Sequence, residues 1–187
     1  MTDLESDLRV RAIRVVVFDR DGTLVEDVPY NSDPGAVVAR PGAVDAVHRL
    51  RARGLKTAVA TNQSGIGRGI VTRHEVDAVD ARVDDIFGTF DDWAVCPHGP
   101  DDGCRCRKPA PGLLLDVAAH LGAGLHEVVV VGDRRADVGA AVAAGATGVL
   151  VVSPSTEHDA HLAADHVLAS MAQLPALFAA HDVEASR

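Results

Sequence analysis

Two carboxylates one residue apart, Asp19 and Asp21, follow the apolar run Val15-Val16-Val17-Phe18 and precede Gly22-Thr23. In an extended strand successive side chains alternate faces, so the pattern places Asp19 and Asp21 on one side and Arg20 on the other. Two acids in one small space repel each other unless a cation sits between them, and a Gly-Thr turn offers backbone N–H groups to an anion. The chemistry this suggests is metal-assisted attack on an anionic ester. Taken alone, the motif also fits a strand that simply ends in two solvated acids.

A second constellation lies far along the chain. Cys96-x-His98 and Cys104-x-Cys106 gather three thiols and an imidazole, and the chain has only these 3 cysteines. They are too few and too close together for the disulfide framework of a secreted module. Three thiolates and one imidazole make a closed tetrahedral set for a structural Zn²⁺. Such an ion would order an otherwise irregular stretch and fix the backbone just ahead of Arg107 and Lys108. The alternative is three reduced thiols at the surface.

The elements that must position these groups alternate between strand and helix. Apolar runs predict strands at 13–18, 55–60, 93–95, 127–131, 147–152 and 165–169. Between them, Pro41-Gly42 opens a helix that Gly54 ends, and Thr72-Arg73-His74-Glu75 has the form of a capping box for a helix to about Phe87. Further helices are predicted from Pro111 to Leu121 and over 137–144, while Pro175 leaves the last helical stretch undecided. Alternation of this kind implies a Rossmann-like α/β fold: a parallel sheet with helices on both faces. In such sheets ligands sit beyond the carboxyl ends of the strands. Three polar motifs fall there, at Asp19–Thr23, at Thr61-Asn62-Gln63-Ser64-Gly65 and at Gly132–Asp137. Each alone reads as a turn or a helix cap; together at three strand ends they predict one shared crevice.

Composition bounds the class. The 187 residues, with no Ser/Gly/Pro-rich linker, read as a single domain over 13–181 between polar tails at 1–12 and 182–187. A formal charge of −9 argues against non-specific nucleic-acid binding, which needs basic surface. The N-terminus lacks an apolar signal segment, and no stretch approaches the length of a membrane span. The expectation is a soluble cytoplasmic monomer that meets neither membrane nor nucleic acid.

Asp19-Arg20-Asp21-Gly22-Thr23, Thr61-Asn62-Gln63-Ser64-Gly65-Ile66-Gly67-Arg68-Gly69, Cys96-Pro97-His98, Cys104-Arg105-Cys106-Arg107-Lys108-Pro109 and Gly132-Asp133 resemble the haloacid dehalogenase superfamily. More narrowly, they resemble its heptose 1,7-bisphosphate 7-phosphatase branch, related to the histidinol-phosphate phosphatases. The resemblance implies a Mg²⁺-dependent phosphomonoesterase without a cap domain, its zinc-stapled loop ending in Cys-Arg-Lys-Pro. Asp19 would be the nucleophile and Asp21 the acid/base. Mg²⁺ would be held by Asp19, the backbone carbonyl of Asp21, and Asp133, and Thr61 and Lys108 would stabilise the phosphoryl oxygens. Zn²⁺ would be held by Cys96, His98, Cys104 and Cys106. Substrate contacts would come from Asp27, Tyr30, Asn62, Gln63, Ser64, Arg107 and Arg134. Arg68 or Arg107 would meet a second phosphate, and Asp137 would stand behind the metal ligands or cap a helix rather than be a ligand itself. Pro29 replaces an expected Gly, Arg134 an expected Lys, and Gly99 stands where a second His is common. The implied substrate is a small phosphorylated sugar, a heptose 1,7-bisphosphate before histidinol phosphate. The rival from another class is a zinc-stapled binding module without turnover.

Overall fold

The computed structural model describes residues 13–178, so the expected tails and the last residues of the expected domain lie outside the described residues. Six strands form one sheet: β1 (Val15–Phe18), β2 (Lys56–Asn62), β3 (Asp92–Cys96), β4 (Val128–Gly132), β5 (Thr147–Val151) and β6 (His166–Leu168). The helices are α1 (Ala43–Ala52), α2 (Arg73–Phe87), α3 (Gly112–Leu121) and α4 (Arg135–Ala144). All strand pairs are parallel, in the order β3-β2-β1-β4-β5-β6. This is the expected Rossmann-like α/β arrangement, and the described residues contain no cap domain.

The sheet is apolar on both faces, as a covered parallel sheet requires. Val16, Phe18, Val59, Val129 and Val131 point to one side and pack with Val47 and Leu50 of α1 and Val79 and Val83 of α2. Their neighbours Val15, Val17, Ala58, Ala60, Val128 and Val130 point to the other and meet Leu114 and Val117 of α3 and Ala140 and Ala141 of α4. Each fully buried Val removes apolar area worth roughly 1.5 kcal/mol or more, so the register is strongly specified. A one-residue slip would exchange the two sets. That register sets Phe18 level with Val131, and the Asp19 amide donates to the Val131 carbonyl at 2.8 Å. The chain therefore leaves β1 and β4 side by side, at the crossover point where ligands gather.

Local signals place the helix ends. Thr72 Oγ1 accepts from the Glu75 amide at 3.2 Å while Glu75 accepts from the Thr72 amide at 2.7 Å, which makes the expected capping box. Gly54 and Gly122 take left-handed conformations where α1 and α3 stop. The strand limits shift by one or two residues in several places, and three differences have a clear cause. Strand β2 runs on through Thr61 and Asn62, because β3 continues to pair with it as far as Cys96. Helix α4 begins at Arg135 rather than 137, because Asp137 caps it from inside its first turn: the Arg134 amide donates to Asp137 Oδ2 at 3.0 Å. The stretch with Pro175 is a 3₁₀ segment, Met171–Phe178, whose Leu174 and Phe178 are buried in the core beside α1. No helix among the described residues is long and apolar enough to cross a membrane.

Candidate active site

Lys108 stands at the centre of the crevice and is buried. Its Nζ lies 2.6 Å from Asp19 Oδ1, 2.6 Å from Asp137 Oδ1 and 2.6 Å from the Ala60 carbonyl. Burial alone would push an ammonium toward neutrality; the two carboxylates outweigh it and hold Lys108 above its usual range. The same burial drives the Asp19 carboxyl up to about 8, although Lys108 pulls the other way. Asp133 is raised as well, by burial first, despite hydrogen bonds from Ser153 and Thr23.

Asp133 is completely buried and its carboxylate is held from both sides: Ser153 Oγ donates to Oδ2 at 2.6 Å and Thr23 Oγ1 to Oδ1 at 3.2 Å. Gly22 lets it come this close, since a Cβ there would collide with Asp133 Oδ2, and its φ of +84° suits glycine besides. Gly132 does the same for Asp137. The carboxylates of Asp19, Asp133 and Asp137 thus offer oxygens within 4.8 Å of one another. Three buried acids against one lysine leave an excess of negative charge that a hard divalent cation fits, with oxygen ligands of the right kind. Asp21 does not offer its carboxylate to this group, and only its backbone carbonyl had been expected to face a metal. Asp137 is the helix cap it was expected to be, with a second role, since it also grips Lys108.

The direction of Arg20 has to be corrected. Regular strand ends at Phe18, so the alternation that would send Arg20 away from Asp21 stops before it reaches them. The turn that follows, with the Leu24 and Val25 amides both donating to the Arg20 carbonyl, folds Arg20 back alongside Asp21. The guanidinium is 1% exposed and bonds Asp21 through two nitrogens, Nε to Oδ1 at 3.1 Å and Nη2 to Oδ2 at 3.0 Å. Its third nitrogen, Nη1, bonds Asp80 Oδ1 of α2 at 2.6 Å.

A cavity of about 450 Å³ opens over these groups. Asp19, Asp21, Asp27, Tyr30, Thr61, Asn62, Gln63, Ser64, Arg107, Lys108 and Arg134 all line it, as the sequence led us to expect. Arg68 does not; it stands behind the wall and bonds Tyr30 Oη at 2.6 Å. Several liners are already engaged. Asn62 makes two 3.1 Å hydrogen bonds to the backbone of Lys108, one donated to its carbonyl and one accepted from its amide, so its amide group is taken up in aiming that lysine. Gln63 Nε2 donates to Asp21 Oδ2 at 2.7 Å and to Thr61 Oγ1 at 2.9 Å. Arg134 pairs with Asp27 at 2.8 Å. Tyr30 is held at a φ of +53°, uncommon for a residue with a side chain.

Residues that went unnoticed in the sequence complete the wall. Glu157 and Ala136 line the cavity, and Ser155 Oγ donates to Asp27 Oδ2 at 3.3 Å. Thr156 Oγ1 donates to the Asp133 carbonyl at 2.6 Å. The Ser153-Pro154-Ser155-Thr156 run was a legible turn cluster; nothing in it named Asp133 as the target.

The cysteine loop closes as expected. Cys96 Sγ lies 3.1 Å from Cys106 Sγ and 3.8 Å from Cys104 Sγ, while His98 Nδ1 is 3.2 Å from Cys106 Sγ and 3.6 Å from Cys96 Sγ. Thiolates around a tetrahedral zinc with bonds of ~2.3 Å would stand ~3.8 Å apart. The donor set and its spacing therefore fit that ion. The three cysteines form no disulfide. Burial, first among its causes, pushes the Cys96 thiol up to about 12, while Cys104, whose Sγ accepts from the Arg107 amide, is lowered to about 7. From the loop, Arg107 Nη1 donates to the His98 carbonyl at 3.0 Å, and Lys108 follows directly into the crevice.

A parallel sheet with a buried Asp/Lys cluster at the crossover strand ends defines a hydrolase of the haloacid dehalogenase type, and comparison with known proteins agrees. The profile of the haloacid dehalogenase-like hydrolases matches residues 28–145, and the chain belongs to that family. It is 42% identical over 144 residues to the D-glycero-beta-D-manno-heptose-1,7-bisphosphate 7-phosphatase of Pseudomonas putida, covering 74% of this chain and 82% of the relative. To the enzyme of the same name from Escherichia coli K12 it is 35% identical over 182 residues, covering 88% and 93%. Among solved structures, the D,D-heptose 1,7-bisphosphate phosphatase of B. bronchiseptica complexed with magnesium and phosphate superimposes with a TM-score of 0.74 at 30% identity, covering 88% of this chain and 97% of that one.

Proposed function

We propose that this chain hydrolyses the 7-phosphate of D-glycero-β-D-manno-heptose 1,7-bisphosphate through an aspartyl-phosphate on Asp19. The observation that carries the reading is the contact of Lys108 with both Asp19 and Asp137 at the floor of a cavity that Asp21 also faces. The names of relatives at 35–42% identity support the substrate and its anomer.

Asp19 attacks phosphorus, which splits one hard displacement into two easier ones. Asp21 gives a proton to the departing sugar oxygen and later takes one from the water that opens the aspartyl-phosphate. Lys108 and the Thr61 hydroxyl meet the equatorial phosphoryl oxygens, where positioning and charge supply most of the rate. Gln63 turns both Thr61 and Asp21 toward the same point. Asp19, Asp133 and the carbonyl of Asp21 would hold Mg²⁺, which neutralises charge between the nucleophile and an incoming phosphate dianion. The need is visible in the lining, where five acids, Asp19, Asp21, Asp27, Asp137 and Glu157, face three cations, Arg107, Lys108 and Arg134. Arg107, Arg134, Asp27, Tyr30 and Ser64 form the rim that meets the sugar and its second phosphate, and Arg68 supports Tyr30 from behind. Cys96, His98, Cys104 and Cys106 would hold a structural Zn²⁺ that sets where Arg107 and Lys108 point. The domain over 13–181 acts as a soluble cytoplasmic monomer on a small sugar phosphate.

The test is phosphate release with Mg²⁺ from both anomers of the heptose bisphosphate, from histidinol phosphate and from p-nitrophenyl phosphate. Preference for the β anomer is expected. Histidinol phosphate as the best substrate would overturn the assignment, and no release from any ester would return the chain to a binding module. Metal analysis should give about one zinc per chain.

A further inference from the structure

Arg20 is a guanidinium with 1% exposure, whereas no other arginine among the described residues is buried, and the mechanism above does not use it. Its partner Asp80 is equally out of place. Asp80 sits on the face of α2 that buries Val76, Val79, Val83 and Phe87, and is itself 8% exposed. A buried ion pair of this kind is weak evidence for stability, since well-packed apolar residues often serve as well. The question is therefore what the pair holds.

It holds Asp21. Arg20 occupies both carboxylate oxygens of Asp21 with its planar fork, while its remaining nitrogen is anchored on Asp80. Gln63 adds a third hydrogen bond, to Oδ2. A carboxylate has about four lone-pair sites, two on each oxygen. Three are filled here, both on Oδ2 and one on Oδ1. The single free site is on Oδ1, on a side chain that is 25% exposed and lines the cavity. A mobile acid would present either oxygen in several directions; this one presents one.

We infer that Arg20 and Asp80 are positioning residues: Asp80 anchors Arg20, and Arg20 locks the Asp21 carboxylate so that proton transfer with the departing ester oxygen runs through Oδ1. The inference rests on the proposed role of Asp21. In that step the bond from Asp19 to phosphorus forms, the bond from phosphorus to the sugar oxygen breaks, and the proton on Asp21 passes to that oxygen. An arginine suits this task and a lysine does not, because only the fork fixes both oxygens at once.

The test uses the leaving group. An alkyl ester such as the sugar phosphate needs its oxygen protonated as it departs, whereas p-nitrophenolate leaves without help. kcat/KM reports the steps up to transfer of the phosphoryl group, so it isolates the acid half of the reaction. For Asp80→Ala, kcat/KM should fall at least about tenfold more for the sugar phosphate than for p-nitrophenyl phosphate, a part of the 10²–10⁴ that general acid catalysis supplies. Arg20→Lys, which keeps a buried cation but loses the fork, should show the same selective loss. Asp80→Asn, which keeps an acceptor for Arg20 Nη1, should restore most of the ratio. Circular dichroism and melting curves identify the folded variants. Equal losses on both esters in either folded variant would overturn the inference and leave the pair a staple of the fold. A wild-type protein that releases phosphate from neither ester fails earlier, at the proposed function, and the role given to Asp21 falls with it.

Discussion

The crevice at the strand ends and the cysteine loop both gather groups that could hold a cation, and they are assembled in opposite ways. Asp19, Asp133 and Asp137 come from two strand ends and a helix start, brought together by parallel register and held by Lys108, Thr23, Ser153 and the Arg134 amide. Their geometry is set by the sheet and by these hydrogen bonds. Cys96, His98, Cys104 and Cys106 come from one short stretch, and after β3 ends at Cys96 that stretch has no regular structure until α3. There the chain approaches the ligand geometry locally, and a bound ion would supply what the sheet supplies elsewhere. The two regions meet at Lys108, two residues past the last cysteine.

This contrast can be broken most directly at the nucleophile. Asp19→Asn should lower turnover by at least about a thousandfold, since it removes the covalent route. The melting temperature should hold or rise, because burial already disfavours the Asp19 charge. Zinc content should be unchanged. Substantial residual activity would remove Asp19 from its role, and loss of zinc would show that the two regions do not assemble separately.

Removing the loop's cation should have the next largest effect. Cys104→Ser, or extraction of zinc with a strong chelator, should reduce kcat by roughly 10²-fold, the cost of displacing a catalytic group by about 1 Å. Far-UV circular dichroism should change little, while amide exchange should rise across 97–107 and stay low in β1 and β4. A chelated protein with full activity would refute the staple. Uniform exchange throughout the sheet would refute the claim that the crevice stands without it.

Asn62 tests the joint between them. Its side chain ties the last strand position of β2 to the backbone of Lys108. Asn62→Ala should lower kcat about tenfold, less than loss of zinc because the loop still aims Lys108 from its other side. KM should change little, since both polar atoms of Asn62 are turned to Lys108. A large rise in KM with kcat intact would make Asn62 a substrate contact instead.

How much of this was legible in the sequence follows the same division. The strand ends were readable because β periodicity and Gly/Asp/Thr turns are local signals, and the Cys/His cluster because its members lie at fixed short spacing. The clamps were not readable, since each joins residues brought together only by folding: Arg20 with Asp80, Asn62 with Lys108, Ser153 with Asp133. Arg20 was misdirected by extending strand alternation beyond Phe18, where the strand ends two residues before it. One signal was available. Along Val76, Val79, Asp80, Val83 and Phe87 an acid interrupts an apolar stripe at helical spacing, and an acid on a buried face demands a cation from elsewhere in the chain.

That acid gives the smallest and most specific expectation. The Arg20–Asp80 pair does for Asp21 what a zinc ion would do for Lys108, but with a buried carboxylate as its anchor. Burial, the largest cause, pushes Asp80 up to about 6, against the downward pull of Arg20. A carboxyl whose folded pKa exceeds its unfolded value binds its proton more tightly when folded. Its contribution to stability is therefore complete below the unfolded value of roughly 4 and is lost as pH rises through about 6. Asp80→Asn has no such proton to bind. The stability of the variant relative to wild type should thus be most favourable near neutral pH and decline on acidification, by about 2 kcal/mol between neutrality and about pH 4, at about 1.4 kcal/mol per pKa unit. Denaturant titrations of the two proteins across that range measure the difference while the other carboxylates cancel. A difference that stays flat, or grows on acidification, would mean that Arg20 outweighs burial, and the pair would then be a net stabiliser of the fold as well as a clamp on Asp21.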